Sequence, residues 1–206
     1  MLQLTHEAEG EGFEPSERRR RSTVFKTAAI NRSATPPRVR TVLSYPIWSY
    51  RWEMRVGEKD DQYMRMALDE ASRAASLGEV PIGAVVVCCD EVVARGCNRR
   101  ETDADPSAHA EFMAMVAAAH ALGRWRLTGC TVYVTVEPCL MCAGLMVNAR
   151  IDRCVYGAAN PKGGALGTVF DVSHTPELNH EFEVVPGVLA EECAGVMRDF
   201  FRSRRG

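Results

Sequence analysis

The stretch TVYVTVEPCLMC, residues 131–142, decides the fold of this chain. Its first half, Thr131 to Val136, is a β-branched and aromatic run of strand character. The second half turns at Pro138 and opens a helix, predicted over residues 139–148, with Cys139 and Cys142 three positions apart on its first turn. A helix N-terminus favours thiolate over thiol, so two cysteines placed there are prepared to hold a soft metal. Strand, turn, cysteine pair and helix together announce an α/β fold with chemistry at a strand's carboxyl end.

Working outward, the same alternation continues on both sides. Upstream, Tyr63, Met64, Ala67, Leu68, Ala71, Ala74, Ala75 and Leu77 recur at helical spacing from Asp60, and Gly78 closes that helix. Residues 82–89, IGAVVVCC, and residues 91–97, EVVARGC, form a hairpin about a polar turn at Asp90. Asp105 is placed as an N-cap with Pro106 at the first helical position, for a helix reaching Leu122. Downstream, RCVYGA at residues 153–158 reads as a strand, and residues 182–185 as a short one. The final element is a helix over residues 189–202. An opening hairpin followed by alternating strands and helices gives an α/β sandwich with a mixed sheet.

His109 stands near the start of the second helix, with Glu111 two residues on. An imidazole and two thiolates suit zinc, and three protein ligands leave a fourth tetrahedral position for water, the mark of a catalytic site. Glu111 is the candidate proton shuttle rather than a ligand, although residues i and i+2 do not share a helix face and only the looser first turn lets both reach one centre. A lone CxxC occurs in redox motifs and zinc fingers, and a lone histidine at a helix start is commonly a cap. HAE and EPCLMC, each opening a helix, form the far more specific H-x-E with P-C-x-x-C pattern of zinc-dependent base deaminases. Cys88, Cys89, Cys97 and Cys154 are read as strand residues, Cys130 as a turn residue and Cys193 as part of the last helix, with no second metal.

Composition sets the surroundings. The 206 residues are 46% hydrophobic and 25% charged with a net charge of −2, ordinary for a globular protein and silent about nucleic acid. No apolar run reaches the ~20 residues that span a bilayer, and no compact apolar stretch near the start marks a secretory signal, so a cytoplasmic protein is expected. The eight cysteines then read as ligands or core residues rather than disulfides. Residues 1–57, with EGEGFEPSERRRRS and SATPPRVR, lack any sustained period and are expected to be a disordered extension or a gene-model artefact before a start at Met54 or Met64. The Arg18–Arg21 run is either solvated or a nucleic-acid arm, and the acidic residues among it argue against a transit peptide. The cations Arg198, Arg202, Arg204 and Arg205 either solvate a helix end or meet phosphate.

On the stretches YMRMALDEA, GEVPIGAVVV, DPSAHAEFMAM, VYVTVEPCLMCAGLMVNARI, GALGTVFDV, LNH and DFFRSRR, the chain resembles the bacterial tRNA-specific adenosine deaminases of the cytidine deaminase superfamily from residue 61 to residue 205. That resemblance implies a three-layer α/β/α sandwich with a five-stranded mixed sheet, one Zn2+ on His109, Cys139 and Cys142, catalysis by Glu111, and a homodimer. It implies hydrolysis of the wobble adenosine of a tRNA anticodon to inosine, with residues 58–206 as the deaminase domain. It also implies that Asn98 contacts the flipped base, that Ile82, Ala110 and Val136 shape the pocket, and that Asn160, Lys162, Phe201 and Arg202 meet the anticodon stem-loop. One departure is Asn160, where the family carries Asp. Loss of that carboxylate relaxes repulsion toward a polyanion and leaves an amide for a ribose hydroxyl, which loosens the expected preference for RNA over DNA. The rival readings are a free-base or nucleoside deaminase acting on guanine or cytosine, and a zinc-stabilised binding module without catalysis.

Overall fold

The computed structural model describes residues 56–205, with side chains from Lys59 onward. The elements in chain order are α1 (Val56–Ser76), β1 (Gly83–Cys88), β2 (Glu91–Cys97), α2 (Ala110–Leu122), β3 (Cys130–Val136), α3 (Leu140–Ala149), β4 (Arg153–Ala158), β5 (Glu183–Pro186) and α4 (Ala190–Ser203). The five strands form one sheet in the order β2-β1-β3-β4-β5. β1 runs antiparallel to both β2 and β3, whereas β3, β4 and β5 are parallel. The expected mixed α/β sandwich is therefore borne out. The reading of residues 1–57 as an extension lies outside the described residues, except that its last two residues open α1.

Period-two alternation in the strands sorts the core into two halves. Ala84 and Val86 of β1 and Val132 and Val134 of β3 pack with Ala110, Ala114 and Met115 of α2 and Ala143 and Met146 of α3. Their neighbours Val85, Val87, Tyr133 and Val155 face the opposite way, onto Tyr63, Met64 and Ala67 of α1 and Cys193 of α4. Three layers follow, with α2 and α3 on one face of the sheet and α1 and α4 on the other. Gly83 and Gly96 allow the closest helix approaches: a Cβ on Gly83 would lie 2.1 Å from the Ala67 carbonyl oxygen, and one on Gly96 2.3 Å from that of Ala110.

Four local readings are corrected, the first being Cys130, read as a turn residue, which opens β3 opposite Cys88. α1 begins at Val56, a turn before Asp60. α2 begins at Ala110, not at Pro106. Asp105 does cap, but it caps a turn: its Oδ1 accepts from the Ser107 backbone N and from Ser107 Oγ, both at 2.7 Å. Short polar side chains of this kind divert the chain from helix into a turn, and Asp-Pro carries either outcome. Cys89, read as a strand residue, instead makes the hairpin turn with Asp90 at φ 53° and 64°, the left-handed pair of a type I′ connection.

Candidate active site

Register and connectivity gather the candidate residues at one end of the sheet. Gly83 pairs with Cys97 and Ala84 with Val134, so Ile82 before β1, Asn98 after β2 and Val136 at the end of β3 share that end. β4 runs parallel to β3 with Val136 opposite Ala158, which brings Asn160 there too. The two helices that follow β2 and β3 begin at the same place. His109 is the N-cap of α2, in extended conformation at φ −79° and ψ 148°. Cys139 is the N-cap of α3, likewise extended at φ −75° and ψ 171°. Neither cap side chain bonds its own helix. Each turns away from the ordinary capping role and toward the other.

The result is a cluster of four donors. His109, Glu111, Cys139 and Cys142 each offer one ligand atom, all within 4.8 Å of one another. His109 Nδ1 lies 3.6 Å from Cys139 Sγ and 3.7 Å from Cys142 Sγ. Around a tetrahedral zinc with Zn–S of about 2.3 Å and Zn–N of about 2.05 Å, that edge is about 3.6 Å long. Spacing and donor chemistry therefore both fit this metal. The move of the helix start to Ala110 also resolves the i,i+2 difficulty, because Glu111 sits in the first turn while His109 remains outside the helix.

Electrostatics agree with that arrangement. The Cys142 thiol and then His109 hydrogen-bond the Cys139 sulfur and hold its pKa down at about 3. Cys142, facing that thiolate and buried, is pushed up. The Cys139 sulfur raises the His109 imidazole. Burial raises the Glu111 carboxyl, which is 4% exposed. A carboxyl with a raised pKa among polarising neighbours has the profile of a proton-transfer group.

Two buried carboxylates escaped the sequence reading. Glu137, immediately before Pro138, accepts from the backbone N of Asn160 at 3.0 Å and from those of Leu166 and Thr168 at 3.1 Å, and from Thr168 Oγ1. It pins residues 160–168 beside Cys139, which itself bridges to Gly164. Glu79 accepts from the Thr102 backbone N at 2.6 Å and from Asn98 Nδ2 at 3.2 Å. A carboxylate two residues ahead of CxxC, or at a helix end, carries no sequence signal of such long-range use.

The remaining expected contacts fall as follows. Ala110 is fully buried, Val136 is 9% exposed and Ile82 is half-buried. Asn160 spends its Oδ1 on the backbone N of Lys162 and Gly163, at 3.3 Å and 3.2 Å, so its Nδ2 is the group left for a ligand. Lys162 is exposed. Phe201 is 39% exposed, whereas Phe200 is partly covered and carries the Arg204 guanidinium 4.5 Å over its ring. Arg204 also donates to the Gly78 carbonyl, setting the end of α4 beside the segment that enters β1. Arg202 is paired at the surface with Asp199. All eight cysteines are free thiols.

A mixed five-stranded sheet with an imidazole, two thiolates and a buried carboxyl converging at two helix starts defines a deaminase of the cytidine deaminase-like fold. Residues 58–205 match the MafB19-like deaminase family. The chain is 50% identical over 147 residues to a tRNA-specific adenosine deaminase of Bacillus subtilis, covering 71% of this chain and 91% of that one. It is 44% identical over 149 residues to the protein of that name from Haemophilus influenzae, covering 72% and 86%. A solved structure from studies of A-to-I editing by tRNA:A34 deaminases superposes with a TM-score of 0.64 at 43% identity, over 66% of this chain and 98% of that one. The chain belongs to the tRNA-specific adenosine deaminase family.

Proposed function

We propose that this protein hydrolyses the wobble adenosine of a tRNA anticodon to inosine, releasing ammonia, with one zinc ion held by His109, Cys139 and Cys142. The observation that carries the reading is the donor cluster with tetrahedral edges, set in a chain 50% identical over 147 residues to a tRNA-specific adenosine deaminase. When bound, zinc supplies hydroxide near neutral pH by lowering the pKa of a water. Glu111 takes the proton that water gives up and places it on the purine ring nitrogen next to the reacting carbon, then takes the proton of the new hydroxyl on that carbon and delivers it to the departing amine. The C–N bond breaks, a C=O bond forms, and the carboxylate ends as it began. Ile82, Ala110 and Val136 line the base pocket, and Asn98 orients the nucleotide.

The stem-loop is held by Asn160, Lys162, Phe201 and Arg202. An exposed aromatic beside arginines suits RNA, since bases stack on rings and guanidinium groups meet phosphate. The homodimer is supported by the apolar surface of α2 and α3, where Met113, Val116, Leu140 and Met141 are 37–53% exposed with Trp125 beside them at 62%. Among the described residues no helix is long and apolar enough to cross a membrane, and a cytoplasmic site of action suits a tRNA substrate. The deaminase domain is residues 58–206. Incubation with total tRNA lacking inosine, followed by nucleoside mass spectrometry, tests the reading. Inosine in tRNA supports it, and turnover confined to free guanine or cytosine overturns it.

A further inference from the structure

The amide of Asn98 is held in one orientation, and the group that holds it lies outside the reaction chemistry described above. Asn98 Nδ2 donates to Glu79 Oε2 at 3.2 Å and to the Val80 carbonyl at 3.3 Å, so both of its hydrogens are spent. Glu79 is 1% exposed, and its other oxygen is fixed by the Thr102 backbone N at 2.6 Å. Turning the amide over would press its oxygen against a carboxylate and a carbonyl. The Asn98 carbonyl is thus obliged to point the other way. It has no hydrogen-bond partner among the described residues, and it is not among their sealed, unpartnered oxygens, of which Glu70 Oε2 is the one instance. It is therefore not fully sealed, in a residue that is 6% exposed. The backbone sets Asn98 close to the donor cluster: the Asn98 backbone N donates to the Ile82 carbonyl at 2.9 Å, and Arg99 N donates to the carbonyl of Ala108, the neighbour of His109, at 3.0 Å.

We infer that Glu79 is a positioning residue, which locks Asn98 as a pure acceptor so that the site selects a nucleotide presenting a hydrogen-bond donor. The inference rests on the nucleotide substrate proposed above. Within an RNA chain, adenosine carries its ring nitrogens N1, N3 and N7 as acceptors and has its 3′ and 5′ oxygens esterified. Apart from the amine being expelled, two donors remain: the ribose 2′-hydroxyl, and the ring N–H created when Glu111 protonates the purine. The bottom of the site then imposes polarity on the substrate through a carboxylate that never touches it.

Glu79→Gln breaks this constraint. A glutamine in the same place must give its NH2 to Asn98, because the Thr102 N–H needs an acceptor. Asn98 then either sets its own NH2 against that NH2 or turns over and sets its oxygen against the Val80 carbonyl, and in both cases the fixed outward acceptor is lost or displaced. The measurement is kcat and KM, for the zinc-loaded full chain, on an anticodon stem-loop with adenosine or 2′-deoxyadenosine at the wobble position. Wild-type turnover establishes the substrate class separately and is read first. Glu79→Gln is expected to lose about 10–100-fold in kcat/KM, the range of a misplaced buried hydrogen bond, while zinc content holds. The double variant Glu79→Gln with Asn98→Asp restores an outward acceptor and regains several-fold of that loss. If the penalty vanishes on the deoxy substrate the donor is the ribose hydroxyl, and if it persists the donor is the ring N–H; either supports the acceptor role. A folded Glu79→Gln within twofold of wild type, or a double variant that simply adds two losses, overturns it. Should Glu79→Gln fail to fold, Asn98→Ala, which leaves Glu79 bonded to Thr102, decides: a loss of less than twofold overturns the inference.

Discussion

Replacing Glu111 by glutamine separates chemistry from structure at one atom. The side chain is 4% exposed, and burial raises its carboxyl pKa. Glutamine keeps the volume and the polar edge of the carboxyl but can neither accept nor release a proton. A single general acid–base group is worth about 10²–10⁴-fold in rate, and in the proposed reaction one carboxyl carries two protons in succession, so the upper end is expected. At about 1.36 kcal/mol per decade, the barrier rises by about 4–5.5 kcal/mol. Stability moves the other way. A carboxyl whose folded pKa is raised stabilises the fold fully only below its unfolded value near 4.3, and that contribution is lost as pH rises through the folded pKa. At pH 7.5 the neutral glutamine escapes this loss, so the melting temperature equals or exceeds that of wild type. Single-turnover inosine formation, zinc analysis and thermal denaturation on the same preparation make the assay. A variant that retains zinc and turns over within tenfold of wild type would refute the shuttle.

Asp60 accepts from Arg153 Nη1 and Nη2 and from Tyr133 Oη, each at 2.8 Å, beneath α1. Asp60→Asn leaves that guanidinium with Glu183 alone, 3.5 Å from Arg153 Nε, and is expected to cost about 1.5–3 kcal/mol in denaturant unfolding, the range for hydrogen bonds to a charged group. Burial alone would raise the Asp60 pKa, but Arg153 and Tyr133 bring it below the usual carboxylate value. Its stabilisation is therefore present above the unfolded pKa near 3.9 and lost as pH falls through the lower folded one, and the variant should lack that acid-labile part. Gly164→Ala would place a Cβ 2.3 Å from the Glu137 carboxylate, so the loop over residues 160–168 must shift; KM for the stem-loop should rise at least fivefold, and an unchanged KM contradicts the loop's role. Arg202→Ala with Arg205→Ala spares Arg204, which is tied to Gly78 and Phe200. Fluorescence anisotropy should show weaker tRNA binding and a log–log salt slope reduced by about 0.7–0.9 per lost phosphate contact, at unchanged melting temperature.

Much of this architecture was legible because its signals are local. The β-branched runs of β1 and β3, the alanine spacing of α1 and the two short motifs holding His109, Cys139 and Cys142 each declare themselves within a dozen residues. The start of α2 was misread because Asp105-Pro106 serves a helix or a turn equally, and Ser107 decides between them by bonding Asp105. Glu79 and Glu137 were invisible for a different reason. Their partners lie 19–31 residues away along the chain, so only the folded sheet brings them together. Arg204 likewise read as one of four cations that either solvate a helix end or meet phosphate, yet it reaches 126 residues back to Gly78.

The central claim is that His109, Cys139 and Cys142 hold the single zinc ion on which adenosine hydrolysis in an anticodon depends. Zinc is removed from the purified protein by chelation and titrated back while inosine formation is followed on a synthetic anticodon stem-loop. The account predicts that activity returns in proportion to zinc, saturates at one ion per chain, and stays absent in Cys139→Ala at every zinc level. Full activity in the metal-free protein, or full zinc occupancy and turnover in Cys139→Ala, would contradict it.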